Sequence, residues 1–253
     1  METDGRTIVV TGAGRGLGRA ISRHLADKGA NLALIDLNRE DLDQTRQLIS
    51  QSGGIAASYI CDITQEAEVE AVFKDIMADF GAIHALVNNA GITRDGLLVK
   101  TEHGKVIKRM SFDQWQQVLD VNLTGTFLCG REAATRMIDN ATRGIIINIS
   151  SLAWSGNVGQ SNYSAAKAGI VALTSLWARE LARYSIRTGA IAPGGIATDM
   201  VMAMPEEARK NLETMIPASR LGTPEEIAQA VSFIVENDYF NGRLLEIDGG
   251  LRI

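Results

Sequence analysis

Tyr163 precedes Lys167 by four positions in the stretch NYSAAKAG (162–169). On a helix, positions i and i+4 share one face, so the phenol and the ammonium point into the same space. A free tyrosine titrates near 10, too far from neutrality for easy acid–base work. A cation beside it favours the phenolate. At ~4 Å and an effective dielectric of 20 that attraction is roughly 4 kcal/mol, or about three pKa units. The phenol is thereby carried toward the range where general acid–base catalysis works best. The chain has three histidines, and this pair needs none of them.

A second constellation lies near the N-terminus. TGAGRGLG (11–18) follows the apolar run TIVVT (7–11) and opens an amphipathic segment. Gly12 permits a tight turn there. The bare backbone at Gly14, Gly16 and Gly18, with Arg15 and Leu17 between them, lets the chain approach a pyrophosphate and the helix approach a sheet. The helix N-terminus then offers unpaired N–H groups and a positive dipole end to phosphate. Asp36 ends the next apolar run, NLALID (31–36), near the offset at which an acidic side chain meets an adenosine ribose. Its carboxylate accepts both ribose hydroxyl protons and repels a 2′-phosphate, which favours NAD(H). Arg15 and Arg39 lie nearby in the pattern and partly offset that repulsion, leaving NADP(H) as the alternative.

These residues need a scaffold. Short apolar runs alternate with amphipathic stretches: IAASYIC (55–61), a Glu-rich helix around 65–79, HALVNN (84–89), a long helical segment from Ser111 to about Asp139, and GIIINIS (144–150). A second long helix over roughly 161–183 follows, then IRTGAIA (186–192), a helix from Thr223 to Glu236, and LLEID (244–248). Strands alternating with helices predict an α/β fold, a Rossmann-like doubly wound parallel sheet covered on both faces. About seven strands are expected, in the order 3-2-1-4-5-6-7. No linker or low-complexity stretch divides residues 1–253, so one domain is expected to carry both cofactor and substrate.

With 45% hydrophobic residues and a net charge of −5, the chain can bury a sizeable core and has no basic cluster for nucleic acid or a membrane surface. No apolar run approaches the ~18 residues needed to span a bilayer. The start METDGRTIVV is not a signal peptide. Cys61 and Cys129 lack ligand spacing and read as buried thiols of a cytoplasmic protein; no metal is expected.

Taken together, TGAGRGLG, Asp36, CDI (61–63), NNAG (88–91), Asn122, Ser150, YSAAK (163–167) and PGGIATD (193–199) resemble the short-chain dehydrogenase/reductase family in its compact form. The resemblance spans essentially the whole chain. It implies that Asp62 and Ile63 border the adenine and that Asn89, Ala90 and Gly91 line the ribose side. Pro193, Gly194, Ile196 and Thr198 would hold the nicotinamide carboxamide. Ser150, Tyr163 and Lys167 match the catalytic triad, with Asn122 as a fourth member anchoring a water relay. Tyr163 and Lys167 also touch the cofactor in this scheme. It further implies a homotetramer or homodimer.

NNAGITRDGLL (88–98) and LEIDGG (245–250) look most like the 3-oxoacyl-[acyl-carrier-protein] reductases. The resemblance therefore implies a small-molecule 3-hydroxyacyl or 3-oxoacyl substrate, possibly a carrier-bound acyl thioester. The rivals are a sugar, polyol, cyclic or steroid alcohol, and, more remotely, a nucleotide-sensing protein without catalysis. LLVKTEHGKVIKRM (97–110) is longer than the usual connection at this point. It reads as a hairpin, LLVK and KVIKRM around EHG, whose cations could meet an acidic acyl carrier or simply be solvated; His103 has no ligand partners there.

Overall fold

The structure, a computed structural model, describes residues 1–252 apart from the side chain of Met200. Strands β1 (Thr7–Thr11), β2 (Asn31–Asp36), β3 (Ile55–Ile60) and β4 (Ala85–Asn88) alternate with helices α1 (Gly16–Asp27), α2 (Arg39–Gln51) and α3 (Glu66–Phe80). Strands β5 (Val99–Glu102) and β6 (Lys105–Arg109) come next, followed by α4 (Phe112–Leu119) and α5 (Gly125–Asp139). The second half contains β7 (Gly144–Ile149), α6 (Ser161–Glu180), β8 (Ile186–Pro193), α7 (Asp199–Met202), α8 (Glu206–Met215), α9 (Pro224–Glu236) and β9 (Arg243–Ile247). The sheet runs β3-β2-β1-β4-β7-β8-β9, parallel throughout. Once the separate β5–β6 hairpin is set aside, this is the expected order.

Each face of the sheet has its own core. Ile21 and Leu25 of α1, Leu42 and Ile49 of α2, and Val231 and Ile234 of α9 pack beneath one face. Val69, Phe73 and Ile76 of α3, Cys129 and Met137 of α5, and Trp177 of α6 cover the other. Full burial of each large apolar side chain contributes roughly 1.5–3 kcal/mol, so the central strands are the rigid part of the molecule. Their register is level: Val10 of β1 lies opposite Leu34 of β2 and Val87 of β4. The loops at their C-terminal ends therefore open on one edge, where ligands of open α/β sheets bind.

The structure departs from the sequence reading in four places. The expected helix from Ser111 to Asp139 is interrupted by a π turn at Asp120–Thr124. Gly125, which follows it, packs so closely that an added Cβ would lie 2.7 Å from Ile63 Cδ1. Helix α6 stops at Glu180, and a 3-10 turn covers Ala182–Tyr184. Helices α7 and α8 were not anticipated, because α8 buries no residue and so leaves no apolar period to read. The hairpin forms, its first strand two residues later than expected. His103 and Gly104, at φ 49° and 76°, make the two-residue turn whose twist suits a hairpin.

Candidate active site

The glycine turn is held from several sides. Gly12 has φ 64°, and a Cβ there would lie 2.9 Å from Ala90 Cα; at Gly18 a Cβ would overlap the Gly12 carbonyl oxygen. Thr11 Oγ1 accepts from the N–H groups of Asn89 and Ala90 at 3.0 and 3.1 Å. Asn89 Nδ2 donates to the carbonyls of Thr11 and Gly12, both at 3.1 Å. The Gly14 carbonyl accepts from Arg19 Nε and Thr45 Oγ1, both at 2.9 Å. Thr11, Arg19 and Thr45 were missing from the sequence-derived site, since contacts across elements leave no local signal.

The residues present fit a dinucleotide. Arg15 makes no side-chain cap and α1 has no acidic residue in its first turn, whereas α4 and α9 begin with complete capping boxes. The start of α1, with Gly16 and half-buried Leu17, therefore keeps its N–H groups for an anion. Asp36 Oδ2 accepts from Gly14 N at 3.0 Å and Oδ1 from Asn38 N at 3.2 Å, which holds its carboxylate at the lip of the turn. Arg15 and Arg39 are both exposed nearby. Asp62 Oδ1 accepts from the Thr64 N–H and hydroxyl at 2.9 and 2.8 Å, and Ile63 is buried in the α3–α5 core.

The loop after β8 lies at the same edge. Gly194 N donates to Ile247 O at 2.9 Å, and a Cβ on Gly194 would lie 2.7 Å from Asp248 Cα. Pro193 ends β8, buried Ile196 bridges to Gly222, and Thr198 immediately precedes α7 without a side-chain cap.

Three elements bring the second cluster together. Helix α6 carries Tyr163 and Lys167, the π turn carries Asn122, and the end of β7 carries Ser150 and Ser151. Asn122 is fully buried; its Oδ1 accepts from Ile92 N at 2.8 Å and its Nδ2 donates to Ile92 O at 2.9 Å. A Cβ on Gly91 would lie 2.9 Å from Asn122 Oδ1 and 3.6 Å from Lys167 Nζ, so these three converge. Lys167 Nζ donates to Ile149 O at 2.8 Å and lies 5.4 Å from the centre of the Tyr163 ring. Behind them runs a buried polar chain. Thr126 Oγ1 donates to Asn122 O at 2.7 Å, Asn88 Nδ2 donates to Asn148 Oδ1 at 2.9 Å, and Asn148 Nδ2 donates to Thr174 Oγ1 of α6 at 2.9 Å. Asn88 Nδ2 also reaches Thr126 O at 3.4 Å, closing the link from π turn to α6.

Ser150 departs from the expected geometry. It is 2% exposed, and its Oγ donates to Lys167 O at 3.0 Å, facing the helix backbone. The hydroxyl that influences the Tyr163 phenol is that of Ser151, which accepts from Ala153 N at 3.2 Å. One residue along an extended chain reverses the direction of the side chain.

The electrostatics also differ from the expectation. Burial raises the Tyr163 phenol above its ordinary value, the Ser151 hydroxyl pulls it back, and the Asp95 carboxylate raises it further. Burial alone lowers Lys167 from 10.5 to about 8. Desolvation therefore dominates, and the phenol is held protonated at neutral pH. Between about 8 and 10.5 the unfolded chain binds more protons at Lys167 than the folded one. Stability should then rise with pH across that window, by up to roughly 3 kcal/mol, and carry the full cost of the buried charge below it. Urea midpoints at pH 7.5 and 10 check this: wild type should gain on Lys167→Met as pH rises. A constant difference would show that Nζ titrates normally.

Cys61 and Cys129 are free and buried, and burial pushes the Cys61 thiol up to about 12. Among the described residues, no three His, Cys, Asp or Glu side chains could hold a metal ion, and no helix is long and apolar enough to cross a membrane.

Residues 12–252 match a short-chain dehydrogenase/reductase family model described as enoyl-(acyl carrier protein) reductase. The chain is 38% identical over 259 residues to the 3-oxoacyl-[acyl-carrier-protein] reductase FabG of Thermotoga maritima, covering 100% of both. It is 39% identical over 254 residues to human (3R)-3-hydroxyacyl-CoA dehydrogenase, covering 96% of this chain and 94% of that one. The crystal structure of levodione reductase matches with a TM-score of 0.90 and 32% identity, covering 98% of this chain and 97% of that one. A glycine turn, a Tyr–Lys pair and a match along nearly the whole chain lead to one conclusion: this protein is a dehydrogenase/reductase of the short-chain dehydrogenase/reductase family.

Proposed function

We propose that the chain is an NAD(H)-dependent reductase of 3-oxoacyl thioesters, interconverting the ketone with its 3-hydroxyacyl alcohol. The observation that carries this reading is the convergence of Tyr163 with Lys167, whose Nζ lies 5.4 Å from the centre of the phenol ring, beside buried Asn122. A bound nicotinamide dinucleotide supplies the hydride for the carbonyl carbon. Tyr163 Oη gives its proton to the carbonyl oxygen, and in reverse takes it from the alcohol. Ser151 Oγ donates a hydrogen bond to the same oxygen and stabilises its developing charge. Lys167, still largely protonated at pH 7, favours the phenolate that remains. Asn122 fixes the Ile92 backbone beside it.

The substrate class rests on the FabG and 3-hydroxyacyl-CoA dehydrogenase relatives. The levodione reductase likeness supports a second reading, a cyclic ketone. A panel of 3-oxoacyl thioesters, cyclic ketones and polyols, each with NADH and NADPH, tests the choice through nicotinamide absorbance. Turnover confined to cyclic ketones would replace the thioester reading. We read the chain as one domain working in the cytoplasm as a homotetramer or homodimer, with no nucleic-acid or membrane partner.

The cofactor preference rests on Asp36. Its carboxylate retains acceptor capacity for ribose hydroxyls beyond the two backbone N–H groups, and it repels a 2′-phosphate. NADH should bind more tightly than NADPH by roughly 1–3 kcal/mol after screening. Asp36→Ala should narrow the gap, with NADPH improving as Arg15 and Arg39 meet its phosphate and NADH weakening as its ribose loses an acceptor. Titrating both cofactors against both proteins checks it; an unchanged ratio would leave Asp36 as a turn residue only.

A further inference from the structure

The β5–β6 ribbon is absorbed by none of this chemistry. Every residue from Leu97 to Arg109 is exposed, including Leu98 at 69%, Val106 at 59% and Ile107 at 49%. Its register pairs Val99 with Arg109 and Thr101 with Val106, and a bulge leaves Ile107 unpaired. Val99, Thr101, Val106 and Arg109 thus share one face, while Lys100, Glu102, Lys105 and Lys108 share the other. Exposed Phe112 and Val158, at 74% and 86%, flank the ribbon's root. A two-stranded ribbon is marginal in water by itself, and exposed apolar side chains gathered on one ribbon point to an interface.

We propose that the ribbon is an arm that docks on the body of a second copy of this chain, its apolar face covered there and its cations set against carboxylates. Charge argues for that occupant. Residues 97–110 carry four cations and one carboxylate, net +3 on a chain of net −5, so the remainder carries −8. The acidic body of a second copy is therefore complementary to the arm. Within an assembly the body is the arm's counter-charge. Permanence argues the same way, because a ribbon with no cover on its own chain needs a constant neighbour rather than a transient one. The root is tied to the catalytic edge: Gly96 N donates to Gly159 O at 2.8 Å, Gln160 Nε2 to Asp95 Oδ2 at 3.0 Å, and Asn162 Nδ2 to Arg94 O at 3.0 Å. Docking the arm therefore steadies the segment next to Tyr163. The inference stands apart from the catalytic assignment and does not depend on the substrate.

The test uses the full chain, first alone in solution and then with anionic vesicles or an acidic acyl carrier added. A photo-crosslinking benzoylphenylalanine in place of Ile107 should join two chains, giving a band at about twice the 27.2 kDa chain mass. The variant Lys105→Glu, Val106→Ser, Ile107→Ser, Lys108→Glu should sediment as a smaller assembly than wild type at equal concentration, or dissociate at least tenfold more readily. Its circular dichroism should match wild type, since all four side chains are exposed. If that variant misfolds, the cross-link decides. A monomeric wild type, unchanged sedimentation without an inter-chain cross-link, or cross-linking only to added anionic vesicles or an added acidic acyl carrier would each overturn the proposal.

Discussion

Replacing Ser151 by alanine is expected to lower turnover about 10²–10³-fold, the usual loss when one hydrogen-bond donor to a developing oxyanion is removed. Replacing Ser150 by alanine should leave turnover within a few-fold of wild type. The difference follows from direction. Ser150 Oγ is spent on the Lys167 carbonyl at 3.0 Å, deep in the packing between β7 and α6. The Ser151 hydroxyl influences the Tyr163 phenol, the proposed proton donor. Ser150→Ala should instead show in stability, at roughly 1 kcal/mol for the lost bond to a buried carbonyl. Steady-state kinetics and urea midpoints on both variants separate the two roles. Inactivity of Ser150→Ala with an active Ser151→Ala would return the assignment to Ser150.

The reason the sequence does not tell the two serines apart is specific. All six residues of β7 are buried, so the strand lacks the in–out alternation that would tell which of two adjacent serines faces which way. The order of the main sheet was legible because its strands are short apolar runs separated by amphipathic helices. Helix starts at Ser111 and Thr223 were legible because both carry complete capping boxes, a strictly local signal. The π turn was not, since DVNLT is acceptable in an ordinary helix. There the packing of Gly125 on Ile63 and the capture of Asn122 by Ile92 accompany the wider turn.

The spacing of Tyr163 and Lys167 was equally plain, yet the balance of their charges was not. Spacing reports proximity, whereas the direction of the phenol's shift depends on burial, which only the folded chain determines. The hairpin shows the same division. Its turn was readable in Glu102-His103-Gly104, but hydrophobicity drew Leu97 and Leu98 into the strand. In the structure Gly96 is bonded to Gly159, and regular pairing begins at Val99.

The central claim is that the Tyr163 phenol gives its proton to the substrate oxygen. Tyr163→Phe removes that proton and keeps the ring that packs at the start of α6. The cofactor turn, held by Thr11, Asn89, Arg19 and Thr45, is untouched by the change. NADH affinity should therefore stay within about twofold of wild type, while the chemical step slows by the ~10²–10⁴-fold that a positioned acid–base group contributes. Single-turnover mixing reads that step directly: enzyme preloaded with NADH meets a 3-oxoacyl thioester, and nicotinamide absorbance is followed in time. The account predicts a decay at least about 10²-fold slower in Tyr163→Phe with NADH binding preserved. A variant that consumes its NADH at nearly the wild-type rate would contradict it.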